Sequence, residues 1–107
     1  MEKALLVYTT FPDIEVAERL GRELVASKLA ACVNLIPGMR AIYAWKGAVE
    51  TGQEVVGIIK TREVLGEKVR AFLRAKHPYE TPIVLFLPVA GGDAQTLDWL
   101  IAETAAP

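Results

Sequence analysis

The sequence predicts an α+β fold, a ferredoxin-like βαββαβ sandwich with an extended β2-β3 hairpin and an extra C-terminal helix. Two observations carry that prediction. Segments with strand-like and helix-like apolar spacing alternate in the order β-α-β-β-α-β-α. The two central strand segments, together spanning 30–60, are joined by a bare Lys46-Gly47 turn and take up nearly a third of the 107 residues. A chain of this length makes one ordinary domain, read here as a single domain over 1–107.

Each element has its own signal. Ala4–Thr10 reads as a buried strand. Pro12 and Asp13 then open a helix, because Pro suits the first turn and an acidic side chain there complements the helix dipole. Either Thr10 or Asp13 can cap it. Across 14–28, Val16, Ala17, Leu20, Leu24 and Val25 recur at helical spacing. Ala30–Ile36 and Met39–Lys46 follow as strand segments. Pro37-Gly38 between them marks a bulge or bend, since Pro removes a ladder donor. Val49–Lys60 returns as the other arm of the hairpin. Thr61 is placed to cap a second helix, Glu63–Lys76, with Leu65, Val69, Phe72 and Leu73 on one face. His77-Pro78 stops it, and 77–82 form a stiff loop with a proline near each end. Ile83–Leu87 is apolar on both faces, which predicts a strand covered on both sides. Asp93 caps a last short helix striped by Leu97, Leu100 and Ile101.

Composition bounds the partners. Hydrophobic residues make up 52% of the chain and its mean hydropathy is +0.29. A chain this short buries only about two-thirds of its unfolded surface, so that is more apolar material than a small monomer needs. Runs such as Ile83–Leu87 fall far short of the roughly 18 residues needed to span a membrane. Two helices of about four turns cannot cover strands as long as those of the hairpin, given rises of about 1.5 Å and 3.3 Å per residue. A homo-oligomer with an apolar interface is therefore expected, with no membrane partner. The net charge of −1, from 12 basic and 13 acidic residues mixed along the chain, gives no basic face and no expected nucleic-acid partner. The N-terminus enters a strand directly without a signal-peptide pattern, and a lone cysteine makes no internal disulfide. Both point to a cytoplasmic protein.

Polar residues scattered through the apolar segments are the candidate site. Cys32 and Asn34 share one side of their strand, as do Glu54 and Lys60 on theirs. Tyr43 and Trp45 agree with each other, but the bend at Pro37-Gly38 leaves their relation to Cys32 open. The loop adds His77, Tyr79 and Glu80. Together these residues can line one polar pocket. Each also has a structural reading. Cys32 can be a small core hydrophobe. The Asn34 amide can bond the bulged backbone or a ligand, since an unsatisfied buried amide costs about 1–3 kcal/mol. Tyr43 and Trp45 suit interface anchors. Glu54 and Lys60 can sit in salt bridges, and His77 can complement a helix C-terminus. One His and one Cys would suit copper if they meet in space. The sequence lacks CxxC, HxxxH, P-loop, GxGxxG and GxSxG patterns, so no enzyme activity is expected.

Ala30-Ala-Cys-Val-Asn-Leu-Ile-Pro-Gly38, Tyr43-Ala-Trp45-Lys-Gly47, Glu54, Lys60-Thr61 and His77-Pro-Tyr-Glu-Thr-Pro82 together resemble the CutA family, the divalent cation tolerance proteins. The likeness covers essentially the whole chain, and Thr10-Phe-Pro-Asp13 fits the start of that family's first helix. It implies a ferredoxin-like subunit in a tight homotrimer, with long hairpins exchanged between neighbouring sheets and a polar pocket between subunits. The pocket residues implied here are Asn34, Tyr43, Trp45, Glu54, Lys60 and Tyr79. The implied metal ligands are His77, Cys32 and Glu80, with copper or another divalent metal ion as cofactor. Thr9 and Lys76 stand where some metal-binding members carry cysteine and histidine. The alternative reading is a trimeric small-molecule sensor or signalling module like the PII-type regulators, binding a small anionic ligand through Lys60 and Tyr79.

Overall fold

The structure is a computed structural model and describes residues 2–105. Residues 1, 106 and 107, the ends of the expected single domain, lie outside the described residues. The elements are β1 (Ala4–Phe11), α1 (Ile14–Ala26), β2 (Cys32–Trp45), β3 (Ala48–Arg62), a 3₁₀ turn (Glu63–Leu65), α2 (Gly66–Lys76), β4 (Leu85–Pro88) and α3 (Ala94–Ala102). The strands form one antiparallel sheet in the order β2-β3-β1-β4, the expected topology.

One face of the sheet carries the core. Val7 pairs with Ile59 and Ile59 with Val33; Val7 and Ile59 have no exposure. They pack with Leu20 and Leu24 of α1 and Val69 and Leu73 of α2. By the two-residue period of a strand, the alternate rows face away from both helices. Part of that second face is closed at one end by α3, which lies against β1 and β3. There Arg62, 4% exposed, donates through Nε to Thr104 Oγ1 at 2.9 Å and pairs with Glu2 at 2.6 Å.

Local chemistry sets the boundaries. Asp13 caps α1, its carboxylate accepting from the Val16 amide at 2.9 Å. At the other end Lys28 takes φ +63°, Leu29 N–H donates to the Leu24 carbonyl and Lys28 N–H to the Val25 carbonyl, a Schellman stop built without glycine. The expected capping role of Thr61 does not hold. β3 runs on to Arg62, and the buried Thr61 hydroxyl donates instead to the Leu29 carbonyl at 2.7 Å. The second helix therefore opens through a 3₁₀ turn with no side-chain cap.

The hairpin is as long as expected. Lys46 and Gly47 have φ +48° and +83°, the positive pair that lets two residues join right-twisted strands. The register steps from Ile36↔Val56 to Met39↔Glu54, so Pro37-Gly38 is a β-bulge. Among the described residues the molecule measures 44 × 25 × 22 Å. The expected double cover of Ile83–Leu87 is not met within the chain. The strand is Leu85–Pro88, it pairs with β1 alone, and Leu85 and Leu87 are 58% and 47% exposed. They stand on the helix-free face, which the chain itself leaves largely open.

Candidate functional site

The bulge decides which side chains share a face. Before it, Cys32, Asn34 and Ile36 point away from α1 and α2, because Val33 and Leu35 between them pack on the core. A regular strand would then carry Pro37–Trp45 in the same phase, with even positions on the helix-free side. The bulge inserts one residue and reverses that phase. Met39, Ala41, Tyr43 and Trp45 thus pair with Glu54, Gly52, Glu50 and Ala48 on the face that also holds Cys32 and Asn34. Lys60 lies on the same face, directly opposite Cys32. Six of the expected pocket and ligand residues are therefore on one side of one sheet. The Asn34 amide points along it, donating to Cys32 Sγ at 3.6 Å.

The loop after α2 folds over the end of β1. His77 is 7% exposed and its ring stacks on Phe11, centroids 5.3 Å apart at 13°. The Tyr79 amide donates to His77 Nδ1 at 3.1 Å, so that nitrogen is an acceptor and the proton sits on Nε2, which donates to the Thr10 carbonyl at 2.7 Å. Both ring nitrogens of a neutral imidazole are then used. This arrangement aims Tyr79 at the hairpin, where its hydroxyl donates to Glu54 Oε2 at 2.8 Å. Burial, then the bond to Glu54 and the negative charge of that carboxylate, push the Tyr79 phenol well above its ordinary value. Glu80 turns outward to the hairpin tip, 4.0 Å from Lys46 Nζ, with both side chains largely exposed.

The implied metal triad does not assemble within one chain. His77 sits against Thr10, whose strand partner is Val56, whereas Cys32 is opposite Lys60. Four residues of β3 separate those positions, roughly 13 Å along the strand, and β1 and β2 lie on opposite sides of β3. Glu80 is at the hairpin tip. Among the described residues no group of three or more His, Cys, Asp or Glu side chains is placed to hold a metal ion. Thr9 faces the helices, on the opposite side of the sheet from Cys32, and Lys76 pairs with Glu23 of α1 at 3.7 Å. Neither position joins the Cys32 row. A shallow groove of about 750 Å³ between α1 and the free edge of β2 touches only Asn34 of the expected residues.

Residues 5–103 match the family model described as CutA1 divalent ion tolerance protein. The chain belongs to the CutA1 divalent ion tolerance family. It is 42% identical over 101 residues to "Protein CutA 1, chloroplastic" of Oryza sativa, covering 94% of this chain and 57% of that protein. It is 40% identical over 104 residues to the divalent-cation tolerance protein CutA of Thermus thermophilus, covering 97% and 99%. The crystal structure of CutA1 from Oryza sativa superposes with a TM-score of 0.95 at 40% identity, covering 98% of this chain and 96% of that one. The chain thus spans little more than half of the curated plant relative and nearly all of the bacterial one.

Several residues around these side chains carry little signal in the sequence. The Thr10 carbonyl and the Phe11 ring hold His77, yet neither is a polar side chain that a motif search would pick. Tyr8 pairs with Ile58 and so stands on the same face as Asn34 and Lys60. Its place in an apolar strand run hid it. The available signal was its even position in β1.

Proposed function

We propose that this CutA1 protein acts as a homotrimer in divalent-cation tolerance, as a binding protein and not an enzyme, with its ligand pocket formed between subunits. The observation that carries the reading is the shared face. Cys32, Asn34, Tyr43, Trp45, Glu54 and Lys60 lie on one helix-free side of the sheet, among exposed Ile36, Leu85 and Leu87. An apolar surface of that extent with a polar row inside it marks an interface. Both sheet edges, β2 and β4, are also free to pair. Exchange of the long hairpin between copies covers this face and closes the pocket.

In this reading a divalent ion, copper first among them, is held by donors from more than one copy. Each copy offers Glu80 and Cys32, which lie at opposite ends of the face, so one site takes them from different copies. His77 acts by holding Tyr79 in place. The lone cysteine favours the cytoplasm. Native mass spectrometry tests the assembly, and copper(II) titration tests the ligand. A mass of three chains is expected, with copper affinity lowered in Cys32→Ala and Glu80→Gln. A monomer, or copper binding equal in all three proteins, overturns this reading.

One observation favours a second reading, a trimeric small-molecule sensor like the PII-type regulators. Lys60 stands in the same row as Cys32, and an ammonium there repels a cation and attracts an anion.

A further inference from the structure

We infer that the helix-free face carries a seat for a small oxyanion, carboxylate or phosphate, built from Lys60, Asn34 and Tyr8. The inference rests on the trimeric reading, because the face is open in one copy and becomes a pocket only when covered.

The strand register places the seat. Leu6, Lys60 and Cys32 form one row across β1, β3 and β2, and Tyr8, Ile58 and Asn34 form the next. Both rows face away from α1 and α2. Cross-strand neighbours in such rows have Cβ atoms about 4.5–5.5 Å apart, and diagonal ones are about 7–8 Å apart. Lys60 is a diagonal neighbour of both Tyr8 and Asn34, which stand about 10 Å apart on either side of Ile58, so a small ligand lying over Ile58 can be reached by the long Lys60 and Tyr8 side chains and by the Asn34 amide. Lys60, Tyr8 and Cys32 are half-buried already in the single chain.

Charge then selects the ligand. Every polar group in the patch can donate a hydrogen bond, and none is a carboxylate. Among the described residues the ion pairs are Lys46–Glu80, Arg62–Glu2, Arg70–Glu67 and Lys76–Glu23, and Lys60 is in none of them. The next charge along its face, Arg62, is already committed to Glu2 and Thr104 under α3. The nearest acidic position on the same face of β3 is Glu54, six residues away, roughly 20 Å along the strand. Its carboxylate is bonded to Tyr79. Covering this patch with apolar surface from another copy would leave a desolvated, unpaired ammonium, which is strongly unfavourable. A bound oxyanion supplies the missing charge and accepts from all three donors.

The test is calorimetric titration of the assembled protein with inorganic phosphate and, separately, with succinate, at constant ionic strength set by chloride. Native mass spectrometry is run on every sample. Binding of at least one probe is expected. It should weaken about 10-fold or more in Lys60→Gln, as for loss of a charge-assisted hydrogen bond. A smaller loss is expected in Asn34→Ala, near retention in Lys60→Arg, and no change in Lys68→Gln on the exposed surface of α2. Asn34 is exposed in the single chain, so Asn34→Ala keeps the test open should Lys60→Gln fail to assemble. A trimer that binds neither probe, or binds them equally with and without Lys60, overturns the anion seat alone. A trimer that needs Lys60 but ignores both anions also overturns it, in favour of an ion pair between copies. A monomer that binds nothing overturns the trimeric reading together with it.

Discussion

Thr9 and Thr61 allow the cost of an unpaired hydroxyl to be measured inside one protein. Both lie on the helix-facing side of the sheet, on β1 and β3, and both have no exposure. The Thr61 hydroxyl donates to the Leu29 carbonyl at 2.7 Å, while Thr9 Oγ1 has no partner among the described residues. Valine matches threonine in shape and suits a strand equally well, so the same substitution isolates the hydroxyl. Burying a hydroxyl without a bond costs about 1–3 kcal/mol on protein mutational scales. Thr9→Val should therefore stabilise by about 1 kcal/mol or more. Thr61→Val loses a bond and leaves the Leu29 carbonyl unpaired, a loss of about 1–2 kcal/mol. With an m-value of about 2 kcal/mol/M in urea, the two midpoints should move in opposite directions, each by about 0.5 M or more. The assay is urea unfolding followed by tryptophan fluorescence at one fixed protein concentration, because the midpoint of any assembled protein depends on concentration. A Thr9→Val protein destabilised as much as Thr61→Val would refute the assignment of Thr9 as the unpaired group.

Other outcomes follow from the same geometry. Gly57→Ala should destabilise by about 1–3 kcal/mol in the same assay, because its Cβ would stand 2.6 Å from Phe11 Cε2 and 3.1 Å from Thr9 Cγ2 in a packed core. Lys28→Gly should stabilise by up to about 1 kcal/mol, since φ +63° at the Schellman position is strained for a lysine and free for glycine. Tyr79 should ionise above the ordinary tyrosine range in an alkaline titration at 295 nm. Glu54→Gln should bring its ionisation to lower pH and Tyr79→Phe should remove the late step. The sign follows from the raised phenol: its contribution to stability is complete below the ordinary tyrosine range and is lost as pH rises from there through the folded-state value.

Topology was legible in the sequence because each element carries its own local signal. The apolar strand run that begins at Ala4 and the helical spacing of Ala17, Leu20 and Leu24 each predict an apolar surface, and those surfaces meet in the core. The Lys46-Gly47 turn and an interruption at Pro37-Gly38 were readable for the same reason. What stayed hidden depends on partners distant in sequence. Thr61 looked like a cap because it precedes a helix, but the Leu29 carbonyl, 32 residues away, claims its hydroxyl. The composition of Ile83–Leu87 indicated two covered sides, and one chain covers only part of them. The relation of Tyr43 and Trp45 to Cys32 was undetermined because Pro37-Gly38 marks a bulge or a bend equally well, and only the register shows that one residue is inserted. His77 read as a ligand or a dipole partner. Its role is set by a backbone carbonyl and an amide, which side-chain patterns do not report.

The position of charge along the helix-free face bears on which ligand a CutA1 chain of this sequence can hold. Glu54 and Glu50 lie toward the hairpin tip, and Lys60 and Arg62 lie toward α3. Between them β3 presents only Val56 and Ile58 on that side. A divalent cation drawn to the carboxylates and an oxyanion drawn to Lys60 would therefore occupy different ends of one face, roughly 20 Å apart along the strand. Cys32 belongs to the Lys60 end. An ammonium beside Cys32 repels an incoming soft cation and attracts an oxyanion. The two effects separate in Lys60→Gln. If copper binds at Cys32 and repulsion dominates, the substitution should tighten copper and weaken phosphate. If it weakens both, repulsion by the ammonium does not govern the metal. If copper affinity does not change, the metal is held at the carboxylate end, and Cys32 is a small hydrophobe of the interface.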